Sequence, residues 1–506
     1  MDPKNIWITF PELLTWFPLV AGLVAFMIRE EKKVKAWALT ASLITLGISV
    51  ASLVYADNAK YFYLNNVSYY WLKYMGSNLT LGIDGMGHLL TALTAIAFPL
   101  IFIATGKTTY KNAGAFYGLM LLTQSGLMGV FTAMDVLIFY FFWELAVIPA
   151  YFLCSRWGGE RRIQATFKFF VYTFAGSLLM LVGIMYVYMH TYPTPFAEHS
   201  FAMNAFYSAG LTAKEQSWLF WLFFVAFAIK MPLFPFHTWQ PDTYEQAPTA
   251  TTMILSGVMV KMGLLGLIRW LMPVLPLASF QWGDVVMILA VIGIIYASLV
   301  AIRQDDLKRL IAYSSIAHIS LMAAALFAEN LSGTQGVMIQ LFNHGVNIIG
   351  LWIIVEIIER RYGTRKISEL GGLAQQAPVM TIFFVVIALA NIALPLTNGF
   401  AGEFLMFNGL LSAQSNFKVV FTVLAGLGII LAAVYTLNMI RKTFYGEAVS
   451  LRVPVTELKL NEQLALGLIV VIILWLGIYP QSMLELTDSF SKEWFSKIDV
   501  SYLFRK

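Results

Sequence analysis

The sequence predicts an all-α, polytopic membrane protein, and three observations predict it. Of its 506 residues, 59% are hydrophobic and only 12% charged, roughly half the charge that a soluble globular surface carries. The apolar residues fall into about fourteen runs of about 17 to 25 residues, the length that crosses a hydrocarbon core of about 30 Å. The basic residues gather in alternate loops between these runs, as topology requires.

The same composition removes several function classes. Mean hydropathy is +0.72. Cys154 is the single cysteine, so there is no internal disulfide and no set of four thiolates for an iron–sulfur cluster. Neither a G-x-G-x-x-G turn nor a P-loop is present, so nicotinamide, flavin and ATP chemistry have no seat here. No cofactor and no metal is expected in the chain, and energy must come from a partner or an ion gradient. The net charge of +5 reads as topology, not as a nucleic-acid surface. The N-terminal stretch lacks the basic region and small-residue cleavage site of a signal peptide, so the first helix is expected to be retained.

In chain order the expected spans are 12–28, 36–56, 83–105, 114–132, 135–154, 164–190, 216–237, 246–270, 283–303, 307–328, 333–357, 377–412, 417–440 and 463–479, called helices 1 to 14. The odd-numbered loops hold twenty Lys and Arg, among them Arg29, Lys107, Arg161, Lys308, Arg361 and Lys442; the even loops hold Lys60, Lys73, Lys214, Arg269 and Lys418. That asymmetry puts the odd loops in the cytoplasm and both termini outside. An energy-coupling membrane, most simply the bacterial inner membrane, is the expected location. After the tails are set aside, Lys168, Lys230 and Lys261 remain inside apolar helices. Lys168 lies within a turn of the basic loop and can snorkel, a structural reading.

Helices 7 and 12 are expected to be broken. Pro232 and Pro235 follow Lys230, and Pro395 opens the stretch PLTNGF; each removes a backbone donor, which a membrane tolerates only around a polar site or cavity. The two breaks lie 163 residues apart, and Asp135 and Asp306, which open helices 5 and 10, lie 171 apart. Five-helix units over 114–270 and 283–443 would then form an inverted repeat, flanked by 1–113 and 444–506. The alternative is chance recurrence of Pro-Leu. The segment from Gln481, with Trp494, Phe495 and Phe504, either lies along the membrane surface or packs as an ordinary tail.

Six ionisable residues lie at similar depth: Glu144 on helix 5, Lys230 on 7, Lys261 on 8, His318 on 10, His344 on 11 and Glu403 after the break in 12. A lysine at the centre of a membrane helix costs about 2.5 to 3.5 kcal/mol, and such residues are functional by default. A series of this kind is what passing a proton sideways through hydrocarbon requires. Each member also has a bland reading: Glu144 as a packing partner of a lysine, the lysines as caps of broken-helix carbonyls, the histidines as satisfied core residues, Glu403 as an acceptor for freed amides. His237 either lines the site or satisfies backbone. An ammonium and a carboxylate at 4 Å, with an effective dielectric near 20, interact by about 4 kcal/mol. Moving one charge across the membrane costs about 2.3 kcal/mol per 100 mV, so the set is energetically adequate.

The segments FFWELAVIPAYFL, FAIKMPLFPFHTWQPDTYEQAPTA, VKMGLLGLIR, DDLKRLIAYSSIAHIS, FNHGVNIIGLW and GFAGEFL, in this order from helix 5 to helix 12, resemble those of the antiporter-like membrane subunits of respiratory complex I. The glutamate of GEF resembles the M-type subunits (mitochondrial ND-four type), where L- and N-type subunits and multisubunit sodium/proton antiporters typically have lysine. The resemblance implies proton translocation driven by NADH oxidation and quinone reduction elsewhere, with FMN and iron–sulfur clusters in partner subunits and L- and N-type neighbours in the lipid bilayer. It implies Glu144 and Lys230 as a coupled pair, Lys261 and His318 as the central relay, His344 as a linking group and Glu403 as the terminal site. Tyr244 departs from the family, which commonly has a second histidine there, so no role is carried onto it. The rival expectations are a subunit of a multisubunit sodium/proton antiporter and a purely structural scaffold.

Overall fold

The computed structural model describes residues 8–55, 65–447 and 456–499. Lys60 of the even loops and Phe504 of the tail lie outside the described residues, as do Lys4, Arg452, Arg505 and Lys506. Among those described, twelve helices are long and apolar enough to cross a membrane: Phe10–Met27, Glu31–Val54, Gly85–Ala104, Ala113–Thr132, Val136–Trp157, Arg162–Tyr188, Thr249–Val274, Pro276–Ile302, Leu307–Leu326, Leu331–Tyr362, Lys418–Tyr445 and Leu460–Ile478. They correspond to helices 1 to 6, 8 to 11, 13 and 14. Helices 7 and 12 are each in two pieces, Ala213–Lys230 with Trp239–Gln246 and Pro378–Asn391 with Asn398–Leu411.

Both breaks follow from their prolines, and both are repaired by side chains, as a backbone without water demands. At the first, Trp239 Nε1 donates to the Ile229 carbonyl at 2.9 Å and Lys168 Nζ to that of Thr238 at 2.8 Å. At the second, Asn343 and Asn347 of helix 11 donate to the carbonyls of Asn398 and Ala390 at 2.7 and 3.2 Å. Ala393 and Leu396 hold φ of 55° and 73°, the left-handed region that costs a side chain about 1–2 kcal/mol. Strain of this sort persists where the surroundings impose it.

Helices 5 and 10 begin alike. Asp135 accepts from the amides of Leu137 and Ile138, and Asp306 from those of Lys308 and Arg309, each an N-cap that satisfies orphan donors. Each aspartate also forms an isolated antiparallel bridge, to Ala202 and to Lys366 respectively. Helices 8 and 11 are fully enclosed, and of the six ionisable residues they carry Lys261 and His344.

Two features depart from the expectations, and a third decides between the two readings of the tail. Helix 8 extends to Val274, so Arg269 is not a loop residue: it is 1% exposed and donates to both carboxylate oxygens of Asp84, at 2.8 and 2.7 Å. Arg269 therefore joins Lys168, Lys230 and Lys261 as a cation within an apolar helix, and its partner lies 185 residues away at the start of helix 3. A hairpin, β1 (Asn66–Leu72) with β2 (Ser77–Gly82), precedes helix 3; Gly76 turns it at φ 67°, where an added Cβ would meet the His199 carbonyl oxygen at 2.0 Å. The C-terminal helix Gln481–Ile498 buries Met483, Trp494 and Ile498, and Trp494 Nε1 donates to the Ile268 carbonyl. The described tail thus packs on the bundle.

Candidate functional site

Helix 8 sets the geometry of the site. Two widened π turns, Leu255–Met259 and Leu267–Leu271, interrupt it, and such bulges favour functional positions because they shift the side chains that follow. Lys261 comes just after the first. Its Nζ donates to the Ser256 carbonyl at 3.0 Å and to His344 Nδ1 at 2.9 Å. Lys261 is 0% exposed, and these contacts give a wholly enclosed amine its acceptors.

His344 in turn faces His318, ring centroids 5.8 Å apart, and His318 Nδ1 lies 3.4 Å from Glu403 Oε1. Four of the six sequence-derived residues therefore form one connected row: Lys261, His344, His318, Glu403. Its spatial order differs from the chain order. His344 stands between Lys261 and His318, so those two are not adjacent central partners; helix 11 inserts its histidine between them. Around His318, Asn391 Nδ2 reaches Nε2 at 3.4 Å and Ser314 Oγ at 3.2 Å, while Ser314 meets the Tyr435 hydroxyl at 2.9 Å. A small cavity between His318, Glu403, Gly428 and Tyr435 adjoins this end.

Glu144 and Lys230 form a second group. Lys230 is buried, its Nζ 5.6 Å from the Trp143 ring centroid and 5.9 Å from that of Phe169, with no hydrogen-bond partner. Glu144 is half-buried, one of its carboxylate oxygens likewise has no partner, and it lines a cavity of about 190 Å³ with Val147, Tyr151, Phe170 and Thr173. The two groups are neighbours without closing an ion pair. The surrounding aromatic rings add electrostatic support to the ammonium.

Between the two groups lies a cluster of buried polar side chains to which the sequence assigns no role. Tyr244, 0% exposed, packs edge-on between Trp239 and Trp352, and its hydroxyl approaches Gln240 and Ser256. None of these three side chains closes a hydrogen bond. Buried polar atoms left so are costly unless water reaches them. Phe169 stacks near Trp239 and Lys261 holds the Ser256 carbonyl, so Tyr244 sits between the lysines. His237 is buried, with Nδ1 unpartnered and its ring against Tyr296; it stands apart from the row. Lys168 pairs with Asp242 at 2.8 Å, a structural use.

On the side of the basic loops, a cup of about 710 Å³ opens between the ends of helices 3, 5, 8, 10 and 11, lined by Lys111, Glu245, Thr249, Lys308, Glu356 and Glu359 among others. Lys308 pairs with Glu359 at 2.7 Å, and Arg309 bridges Asp242 and Glu245 at 3.1 and 2.8 Å. Burial opposes ionisation of both carboxylates, but the bonds from Lys168 and Arg309 to Asp242, and from Arg309 to Glu245, outweigh it and hold both below the usual carboxylate range. Among the described residues no group of three or more His, Cys, Asp or Glu is arranged to hold a metal.

Residues 133–428 match the family described as NADH:quinone oxidoreductase/Mrp antiporter. The chain belongs to this family. Among its relatives, NADH-quinone oxidoreductase subunit M of Rickettsia typhi is 36% identical over 93% of this chain and 95% of its own length. Subunit M of Escherichia coli K12 is 33% identical over 94% and 96%. A chain of respiratory complex I from Thermus thermophilus superposes with a TM-score of 0.88 at 27% identity, covering 96% of this chain and 99% of that one. Within the family, the likeness to subunit M therefore runs nearly end to end and includes every helix that carries the buried row.

Proposed function

We propose that the chain moves protons across the membrane as an M-type subunit of a NADH:quinone oxidoreductase, with the redox chemistry in other subunits and no redox centre of its own. The observation that carries this reading is the connected buried row from Lys261 through His344 and His318 to Glu403. Each member can bind and release a proton, and neighbours that do so in turn move charge without moving the backbone. The unpartnered polar atoms of Tyr244, Gln240 and Ser256 support a water-borne link from Lys230 to Lys261. Glu144, close to Lys230 but unpaired with it, acts by approach: bringing the carboxylate into contact stabilises the ammonium by several kcal/mol, and withdrawing it releases the proton. The cup above helix 8 supplies water on the basic-loop side, which the charge asymmetry assigns to the cytoplasm, with both termini opposite.

The paired features of helices 5 and 10, and of the breaks in 7 and 12, support two inverted five-helix repeats and fourteen crossings in all. L- and N-type subunits would flank the chain, and the half-buried Glu144 at the rim of the bundle suits such a boundary. A sodium/proton antiporter role is disfavoured by Glu403 and by the near full-length likeness to subunit M. Replacing Lys230 by Ala in the assembled complex tests the proposal: proton transfer into vesicles is expected to fall by at least about tenfold, some 1.4 kcal/mol on the barrier, with the complex intact. Unimpaired pumping would leave a structural scaffold as the better account.

A further inference from the structure

Outside the buried row, one cluster of cations lacks its counter-charge. At the basic-loop end, the start of helix 14 is tied to the end of helix 3 by Asn461 Nδ2, which donates to the Ile103 carbonyl at 3.0 Å. This brings Lys107 close to Lys459, with Glu462, which accepts from the Lys459 amide, near both. Both are exposed, and among the described residues no carboxylate pairs with either. The nearby acids are already committed: Glu462 to Arg360 and Arg361, Glu356 to the Thr108 hydroxyl, and Glu457 to the amides of Val379 and Met380. Desolvation, and next the facing Lys459, hold Lys107 below the ordinary lysine range.

Two like charges side by side repel, and a shared anion removes the repulsion. The ground below the lysines indicates which anion. Leu460, Leu464, Leu468 and Val471 of helix 14 are all more than half exposed and fall on one face at intervals of three or four. They form an apolar stripe about 16 Å long at 1.5 Å per residue, close to half the hydrocarbon thickness of a bilayer. A soluble anion has no use for such a stripe. We propose that Lys107 and Lys459 bind the phosphate of an anionic phospholipid whose acyl chain lies along this stripe of helix 14.

The test uses the intact complex in nanodiscs of phosphatidylcholine alone, the same with added inorganic phosphate, and phosphatidylcholine with phosphatidylglycerol. Acylation of Lys107 and Lys459 by acetic anhydride is followed by mass spectrometry, with Lys111 as internal reference. Phosphatidylglycerol is expected to slow labelling of both lysines severalfold relative to Lys111, and inorganic phosphate to leave it unchanged. Purified complexes should carry a retained phosphatidylglycerol, and replacing either lysine by Gln should lower its retention about fivefold. Equal protection by inorganic phosphate would replace the lipid by a free anion and overturn the proposal. In complex first freed of its retained phospholipid by detergent exchange, labelling that is slow in all three preparations, as a covering protein subunit would cause, or fast in all three, overturns it as well.

Discussion

At the scale of single residues, His344 connects more than its place in the chain implies. It accepts from Lys261 and faces His318, so His344→Ala should divide the row in two and leave the lysine short of an acceptor. The expected outcome is proton transfer reduced at least tenfold, together with a stability loss of about 1–3 kcal/mol for the unsatisfied buried group, read from vesicle pumping and from thermal unfolding of the complex. His237→Ala, whose ring lies away from the row, should leave pumping near its original rate in the same assay. The six ionisable residues were legible in the sequence because charge inside an apolar run is conspicuous. Gln240 and Ser256 were not, and Tyr244 stood out only as a departure from the family with no role attached, since a tyrosine, an amide and a hydroxyl in a membrane protein are ordinary until their lack of partners is seen.

At the scale of elements, the link from Lys230 to the row depends on how closely helix 8 approaches helix 7. A Cβ on Gly263 would meet the Phe227 carbonyl oxygen at 2.7 Å and Met231 Cβ at 2.8 Å. Backbone cannot step aside as a flexible side chain can, so Gly263→Val should push the two helices apart, at a cost of about 1–3 kcal/mol. Assembly of the complex should survive with a lowered midpoint of thermal unfolding, while pumping falls further than stability, because the gap between Lys230 and Lys261 widens. The breaks in helices 7 and 12 could be read from their prolines, and the spans from their length. The π turns of helix 8 could not, because a widened turn leaves no mark in hydrophobic periodicity. Arg269 misled for a related reason: it sits near the end of an apolar run, and only its distant partner Asp84 shows that the helix continues past it.

At the scale of the whole molecule, the cup on the basic-loop side is held by ion pairs that join the segment Trp239–Gln246 to helices 6 and 10. Asp242 and Glu245 have their folded pKa values depressed. The stability they contribute is therefore complete above the ordinary carboxylate range and is lost as pH falls through the depressed values. Hydrogen exchange in 239–246 should be flat from neutral pH down to the usual carboxylate range, corrected for intrinsic rates, and should rise only below it. Glu245→Gln should raise exchange at neutral pH and weaken that acid dependence. The fold class was legible because a bilayer permits few architectures. The side-by-side order of the helices was not, because sequence separation does not encode which helices are neighbours, and it is the position of helix 11 that places His344 between Lys261 and His318. The claim that protons pass along this row is tested most directly by the number of protons moved per electron in reconstituted complex carrying Lys261→Ala. The ratio should fall below that of the unsubstituted complex, with assembly and flavin content unchanged. An unchanged ratio at unchanged electron flux would contradict it.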